Sequence, residues 1–260
     1  MIGRTAILSL LAVLAPQAAP VQRIPAAEAH QGVAAGVRYV YAISNAEIGK
    51  YDKTTGQRVL HWQGDPEHFR HMNSCAVAGN ELVCAASNYP GVPHESMVER
   101  FDAETLRHLG TTPLPGFSGS LTVFMRHNGH WWAVFANYDG RGGVAGRDHR
   151  ATFMVELDDA MREVRRYSFP EAVLERFAPR SCSGGAWGAD GLLYVTGHDR
   201  AELYALRVPE GGGEMQLVAT YPIPTNGQAI DWDPAIEGQL WSIERDDTVM
   251  VATPVIPWGR

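Results

Sequence analysis

Long apolar runs are scarce in this 260-residue chain, and none approaches the roughly 18 residues that a membrane-spanning helix needs. Stable membrane insertion is therefore not expected. Cysteine is scarce as well, limited to Cys75, Cys84 and Cys182, and neither a paired C-x-x-C nor an H-E-x-x-H spacing marks a metal site. The chain has no G-x-S-x-G elbow and no Walker loop, and Gly142-Gly143 and Gly211-Gly212-Gly213 fall in loops, so neither serine nucleophile chemistry nor nucleotide binding is expected. Basic residues are in the minority, 22 against 29 acidic ones. The net charge of −7 repels a phosphate backbone, and no nucleic-acid partner is expected.

What the chain does hold is 27 Gly, 16 Pro, 7 Trp and 9 Tyr, spread along its length in a composition that is 45% hydrophobic. That distribution favours many short strands joined by turns, an all-β domain. At the N-terminus, Arg4 precedes the apolar run Ala6 to Leu14 and a region rich in Ala and Pro. This reads as a secretory signal peptide. Pro20 disfavours a cut after Ala19, whereas Ala27-Glu28-Ala29 offers an A-x-A pattern. The expected division is residues 1–29 as signal peptide and leader and 30–260 as the folded domain of a secreted or periplasmic monomer.

An oxidising compartment allows disulfides. Val77 to Leu82 reads as a hairpin turning at Gly79-Asn80. Counting outward from an Ala78/Glu81 closing pair makes Cys75/Cys84 a non-hydrogen-bonded pair, with Cα atoms about 4.5 Å apart and within bridging reach. A Cys75–Cys84 bridge is expected, with two buried thiols as the alternative and Cys182 unpaired.

An apolar stretch ending in an acidic residue and a turn recurs as Ile48-Gly49-Lys50-Tyr51-Asp52, Val98-Glu99-Arg100-Phe101-Asp102 and Met154-Val155-Glu156-Leu157-Asp158, with a looser copy from Leu203 to Pro209. Five hairpins accompany it, at Gly32 to Ile43, Ser74 to Ala86, Leu121 to Ala136, Ser183 to Thr196 and Gln228 to Ile243. A spacing of about 46 residues suits a single five-bladed β-propeller. A sixth blade is possible near Arg162 to Arg180, although Pro170 to Phe177 looks like a short helix. An N-terminal strand near Val33 is expected to close the ring beside Thr248 to Thr253.

In a blade the start of the innermost strand and the end of the second lie together, so five polar sets should converge on one mouth of the channel. They are His30 and Gln31 with Ser44 and Asn45; His71, Asn73 and Ser74 with Asn88 and Tyr89; Ser118 and Ser120 with Asn137, Tyr138 and Asp139; Ser181 and Ser183 with His198 and Asp199; and Asn226 and Gln228 with Glu244 and Arg245. In the third blade, Trp131 and Trp132 point to opposite faces of the sheet and should pack against neighbouring blades. The glycine-rich loop after Asp139 could close over the mouth and deliver Arg147 or Arg150 to an anion. The ligand-contacting residues expected are His30, Gln31, Asn73, Asn88, Tyr89, Asn137, Tyr138, Arg147, Arg150, Ser183 and Gln228. His71 and His198 suit general acid–base work, with Asp139 beside them. They could equally join Asp139 or Asp199, with Asn73 and Asn137, around a divalent metal. No cofactor is required by the first reading.

Several segments carry a family resemblance: His30-Gln31-Gly32-Val33, His71-Met72-Asn73-Ser74, Ser87-Asn88-Tyr89-Pro90, Gly129-His130-Trp131-Trp132, Phe135 to Asp139, Gly188 to Tyr194 and Thr196-Gly197-His198-Asp199. From His30 to Pro257 the chain resembles bacterial exported propellers described as cycloisomerase-like. It is more distantly similar to plant-type glutaminyl-peptide cyclotransferases and propeller lactonases. Where that family has Gly after Asn-Ser, this chain has Cys75, which fits the bridge. The resemblance implies an isomerase of the intramolecular lyase kind acting on a small carboxylated or lactone substrate, with His71 and His198 moving protons. The alternative is a non-catalytic propeller that binds a sugar, a peptide or an envelope component.

Overall fold

The structure is a computed structural model that describes residues 21–255, so the apolar run Ala6 to Leu14 lies outside the described residues. A first strand, β1 (Gln22–Pro25), precedes five sheets arranged around a central channel. The first blade is β2 (Gly32–Ala35), β3 (Tyr39–Ile43), β4 (Glu47–Asp52) and β5 (Arg58–Gln63), and the second is β6 (His71–Ala78), β7 (Glu81–Ser87), β8 (Ser96–Asp102) and β9 (His108–Pro113). The third is β10 (Ser120–His127), β11 (His130–Ala136), β12 (Phe153–Leu157) and β13 (Glu163–Ser168), followed by the helix α1 (Glu171–Phe177). The fourth holds β14 (Gly184–Trp187), β15 (Leu193–Thr196), β16 (Glu202–Arg207) and β18 (Gln216–Pro222), while the short β17 (Gly213–Glu214) joins the outer edge of the third. The fifth is β19 (Asp231–Trp232), β20 (Gln239–Glu244) and β21 (Val249–Pro254). All five expected hairpins are the two inner strands of a blade. The segment 162–180 supplies an outer strand and a helix, not a sixth blade.

The recurring acidic residue has a local cause. Asp52, Asp102 and Asp158 each end or follow a third strand, and one carboxylate oxygen accepts two N–H groups of the turn that follows: Thr54 and Thr55, Glu104 and Thr105, Ala160 and Arg162. Those backbone donors hold all three carboxyls below the usual carboxylate range.

No blade has a core of its own. Hydrophobic side chains gather between blades: Tyr41, Ile43 and Ile48 against Leu82, Cys84 and Phe101, then Val83 and Val98 against Leu121, Phe124 and Phe135. Trp132 packs toward the fourth blade with the α1 residues Val173 and Phe177, and Trp131 packs toward the second. The two indoles therefore serve opposite interfaces, as strand alternation requires.

Cys75 and Cys84 are bonded and buried, directly opposite each other with Cα atoms 4.0 Å apart. Cys182 is free and buried, and burial pushes its thiol up to about 12, leaving it inert near neutrality.

Ring closure differs from the expectation. Val33 belongs to β2, the innermost strand of the first blade, and the closing strand is β1, whose residues 22–25 pair antiparallel with 252–249 at the outer edge of the fifth. The expected boundary at His30 thus falls inside the fold, and a cut after Ala29 would remove the closing strand. It would also remove Glu28, whose side chain is fully buried and accepts bonds from the Tyr51 hydroxyl and Arg58, both at 2.6 Å. Burial pushes the Glu28 carboxyl up, but those donors and a backbone N–H outweigh it and hold the group below its ordinary range.

Ile24 is buried in the core shared by the fifth and first blades. Ile24→Asp places a carboxylate there at a cost of about 3 kcal/mol or more, and should lower the thermal midpoint by roughly 6–12 °C. An unchanged melt would show that β1 does not hold the ring.

Candidate functional site

The inner strands all run away from one face, so the beginnings of β2, β6, β10 and β14 lie with the ends of β3, β7, β11 and β15. The cavity they surround has a volume of about 190 Å³. Gln31, His71, Asn73, Tyr89, Tyr138, Ser183, His198 and Gln228 all line it, so eight of the expected catalytic and ligand-contacting residues converge. Three arginines complete the lining: Arg141, Arg180 and Arg245. No carboxylate is among the lining residues.

His71 is held at both ring nitrogens. Nδ1 lies 2.9 Å from Asn45 Oδ1, an oxygen that also accepts from Gln31 Nε2 at 2.9 Å. An acceptor at that place fixes the proton on Nδ1 and leaves Nε2 bare, facing Asn73 Nδ2 at 3.4 Å. Burial, with the positive Arg245 and the His198 ring nearby, lowers the pKa of His71 to about 4. His198 donates from Nδ1 to Asp199 Oδ1 at 2.6 Å, and Arg245 Nη1 approaches its Nε2 at 3.3 Å. One wall of the cavity is made of rings: Tyr89 packs 5.0 Å from His71 on one side and 5.0 Å from Tyr138 on the other. Arg180 Nη1 lies 3.4 Å from the Tyr89 hydroxyl. Gln228 takes a left-handed backbone, φ 68°, which costs a non-glycine residue about 1–2 kcal/mol and orients its side chain into the mouth.

The glycine-rich loop does reach the mouth, but with a different arginine. His94 Nε2 bonds the Gly142 carbonyl at 2.8 Å, and Gly142 sits so close to Tyr89 that a Cβ there would lie 2.4 Å from the ring. This pinning brings Arg141 to the cavity. Arg150 turns instead to Asp148 at 2.6 Å, and Arg147 lines a separate groove under the loop.

Asp139 does not line the cavity either, because it accepts from both the backbone N–H and the ring of His149, at 2.9 and 2.6 Å. Burial raises its pKa and the His149 contacts lower it by more, so the carboxyl stays below its usual range and anchors the loop. Asn88 is consumed closing the 88–95 turn through Pro93 and Glu95. Asn137 is buried and donates to the Ala151 carbonyl. His30 is half-buried outside the cavity, its N–H bonded to Glu28 and Ile43 carbonyls.

The metal alternative needed Asp139 or Asp199 with His71 and His198, yet the groups close enough to share an ion among the described residues are Glu28, Glu47 and His61, and Asp139, Asp148 and His149. Neither includes His71 or His198. A larger cavity of about 840 Å³ opens at the other end of the channel. Much of its charge is already spent, Asp233 on Lys53 and Trp241 and Arg126 on Asp159.

No protein-family model matches the chain, and no curated protein does. Solved structures do. The luciferin-regenerating enzyme superposes with a TM-score of 0.52 at 10% identity, over 93% of this chain and 96% of that one. The PQQ-bound aldose sugar dehydrogenase from Streptomyces coelicolor gives 0.52 at 12% identity, over 88% and 79%. This chain is a five-bladed β-propeller. At such identities the likeness shows the fold and nothing finer.

Because the pKa of His71 lies below its unfolded value, the unfolded chain binds more protons between about pH 4 and 6.5. His71 therefore contributes stability that is present above that window and is lost as pH falls through it. The ring resonances of His71 should stay constant from pH 8 to 5, and Arg245→Ala should raise its titration midpoint by removing a cation. A wild-type midpoint near 6.5 would contradict the neutral assignment.

Proposed function

We propose that the protein is an exported enzyme that acts at this mouth on a small carboxylated substrate or its lactone, by intramolecular addition or elimination. The observation that carries the reading is a neutral, oriented His71 in a cavity with three arginines and no carboxylate. In a protein of net charge −7, such a concentration of guanidinium groups with no carboxylate in the cavity suits an anion, and carboxylate, like phosphate, is bound by guanidinium in a forked geometry.

In the elimination direction a C–H proton of the bound lactone passes to His71 Nε2. The C–H electron pair forms the C=C bond, the ring C–O bond breaks, and the released carboxylate stays on the arginines. Addition runs the same steps backward. In the elimination direction the proton taken up by His71 leaves to solvent, and His198, oriented by Asp199, accepts from Arg245 at Nε2 and holds that guanidinium at the mouth. The apolar N-terminal run and the buried disulfide support export to an oxidising compartment.

A second reading, a propeller that only binds a sugar, peptide or envelope component, draws on the ring wall of His71, Tyr89 and Tyr138. The two part experimentally. Small carboxylates and lactones should raise the melting midpoint of the wild type, and Arg180→Ala or Arg245→Ala should weaken that binding about tenfold. With a ligand that turns over, followed by NMR of the mixture, His71→Ala should lower kcat about 100-fold or more while binding stays within threefold. Ligand binding without turnover, indifferent to His71→Ala, would leave the binding reading.

A further inference from the structure

Asn73 is the side chain of the mouth whose bonding is left incomplete. It is 5% exposed, it lines the cavity, and its Oδ1 has no hydrogen-bond partner. The orientation of its amide follows from its neighbours. Gln31 Nε2 and His71 Nδ1 both donate to Asn45 Oδ1, so His71 Nε2 carries no proton and can face only a donor. Asn73 Nδ2 is that donor, and Oδ1 is the atom left over.

A buried acceptor without a partner costs about 1–3 kcal/mol. A ligand that displaces water from this cavity has to supply a donor or leave that cost in place. The arginines do not supply it: none bonds Asn73 Oδ1, Arg180 reaching the Tyr89 hydroxyl and Arg245 the His198 ring instead. His71 Nε2, engaged only by the long 3.4 Å contact with the same amide, lies close by, so two acceptors share the cavity with the three cations. A simple carboxylate would satisfy the cations and leave Asn73 Oδ1 bare. A carboxylate that also bears a hydroxyl would satisfy the cations and Asn73 Oδ1 together.

We infer that the ligand of this mouth is a small hydroxycarboxylate, its carboxylate on the arginines and its hydroxyl hydrogen on Asn73 Oδ1, next to His71 Nε2. The inference rests on the acid-binding reading above and adds to it what the ligand must carry besides its charge. It gives Asn73 a role in specificity, because a site built around a hydroxyl leaves its own acceptor unpaired when the hydroxyl is missing.

The test is titration calorimetry of the full chain at pH 7.5 with two matched pairs, either enantiomer of malate against succinate and 3-hydroxybutyrate against butyrate. The hydroxylated member of at least one pair should bind about tenfold more tightly or better. In Asn73→Ala that preference should fall to within about twofold. Equal or reversed affinities in the wild type would overturn this inference and leave the acid-binding mouth standing. A preference that survives Asn73→Ala would overturn the assignment to Asn73. Binding of no member of either pair would overturn both readings. The comparison on the wild type needs no variant, so it decides the matter even if Asn73→Ala fails to fold.

Discussion

The antiparallel pairing of residues 22–25 with 252–249 is the contact through which the rest of the architecture is held in place. Each blade buries its faces against the next, so an open chain of five blades would expose two faces, one on the first and one on the fifth. The seam core that β1 completes, with Ile24, Trp241 and Met250 against Val33, Val40 and Tyr51, removes both. Closing a loop of more than 200 residues is entropically little worse than closing one half as long, about 0.6 kcal/mol. The seam core therefore has only a modest extra cost to offset. The same seam runs through the mouth. Ala229 N–H bonds the Gln31 carbonyl across it, and a Cβ on Gly32 would lie 2.3 Å from Ala229 Cβ, so the inner strands meet where only glycine fits. Gln31 on one side and Gln228 and Arg245 on the other keep their places in the cavity only while that seam is shut.

The electrostatic character of the mouth is a consequence of where the acids have gone. Asp52, Asp102 and Asp158 are spent on turns, Glu28 on Tyr51 and Arg58, Asp233 on Lys53 and Trp241, and Asp139 on His149. Their oxygens are bonded to donors of the scaffold, away from the cavity. Arginines elsewhere, such as Arg100 on Glu81 and Arg166 on Glu163, are paired in the ordinary way. Arg141, Arg180 and Arg245 meet no carboxylate in the cavity, and a net negative protein thereby carries a locally positive pocket.

Most of the fold could be read from the chain because its signals are local. A hairpin is written in its turn and the alternation beside it, and the Cys75–Cys84 register follows by counting from Gly79-Asn80. The polar ends of those hairpins were legible for the same reason, and nine of them, Arg245 included, meet in the cavity. The closing strand was not legible, since four residues, Gln22 to Pro25, carry no periodicity and their partner lies more than 220 residues away. Nor was the choice among the loop arginines, which depends on His94 and Tyr89 gripping Gly142 from another blade. Nor is the position of Asp139 outside the cavity legible, because its partner, His149, stands ten residues on in a loop that reads as scattered charge. Arg180 had a faint signal in its place just before Ser181, where the fourth blade's polar set begins.

Placing cations around a base has a chemical consequence of its own. Burial opposes protonation of His71 most, with Arg245 and the His198 ring adding to it, so the free mouth keeps the imidazole neutral. A neutral imidazole is available to accept a proton, but one held neutral by burial and a positive field is also a weak base. In the proposed reading the anionic ligand reverses the second effect while preserving the first. Its carboxylate offsets the arginine field and so favours the imidazolium that proton transfer creates. By linkage the same coupling makes the ligand bind more tightly to the protonated form. The base thus strengthens when a carboxylate is in place to be acted on. A neutral ligand would leave His71 as it stands in the free protein, so the arginines would select for charge in the proton-transfer step as well as in binding.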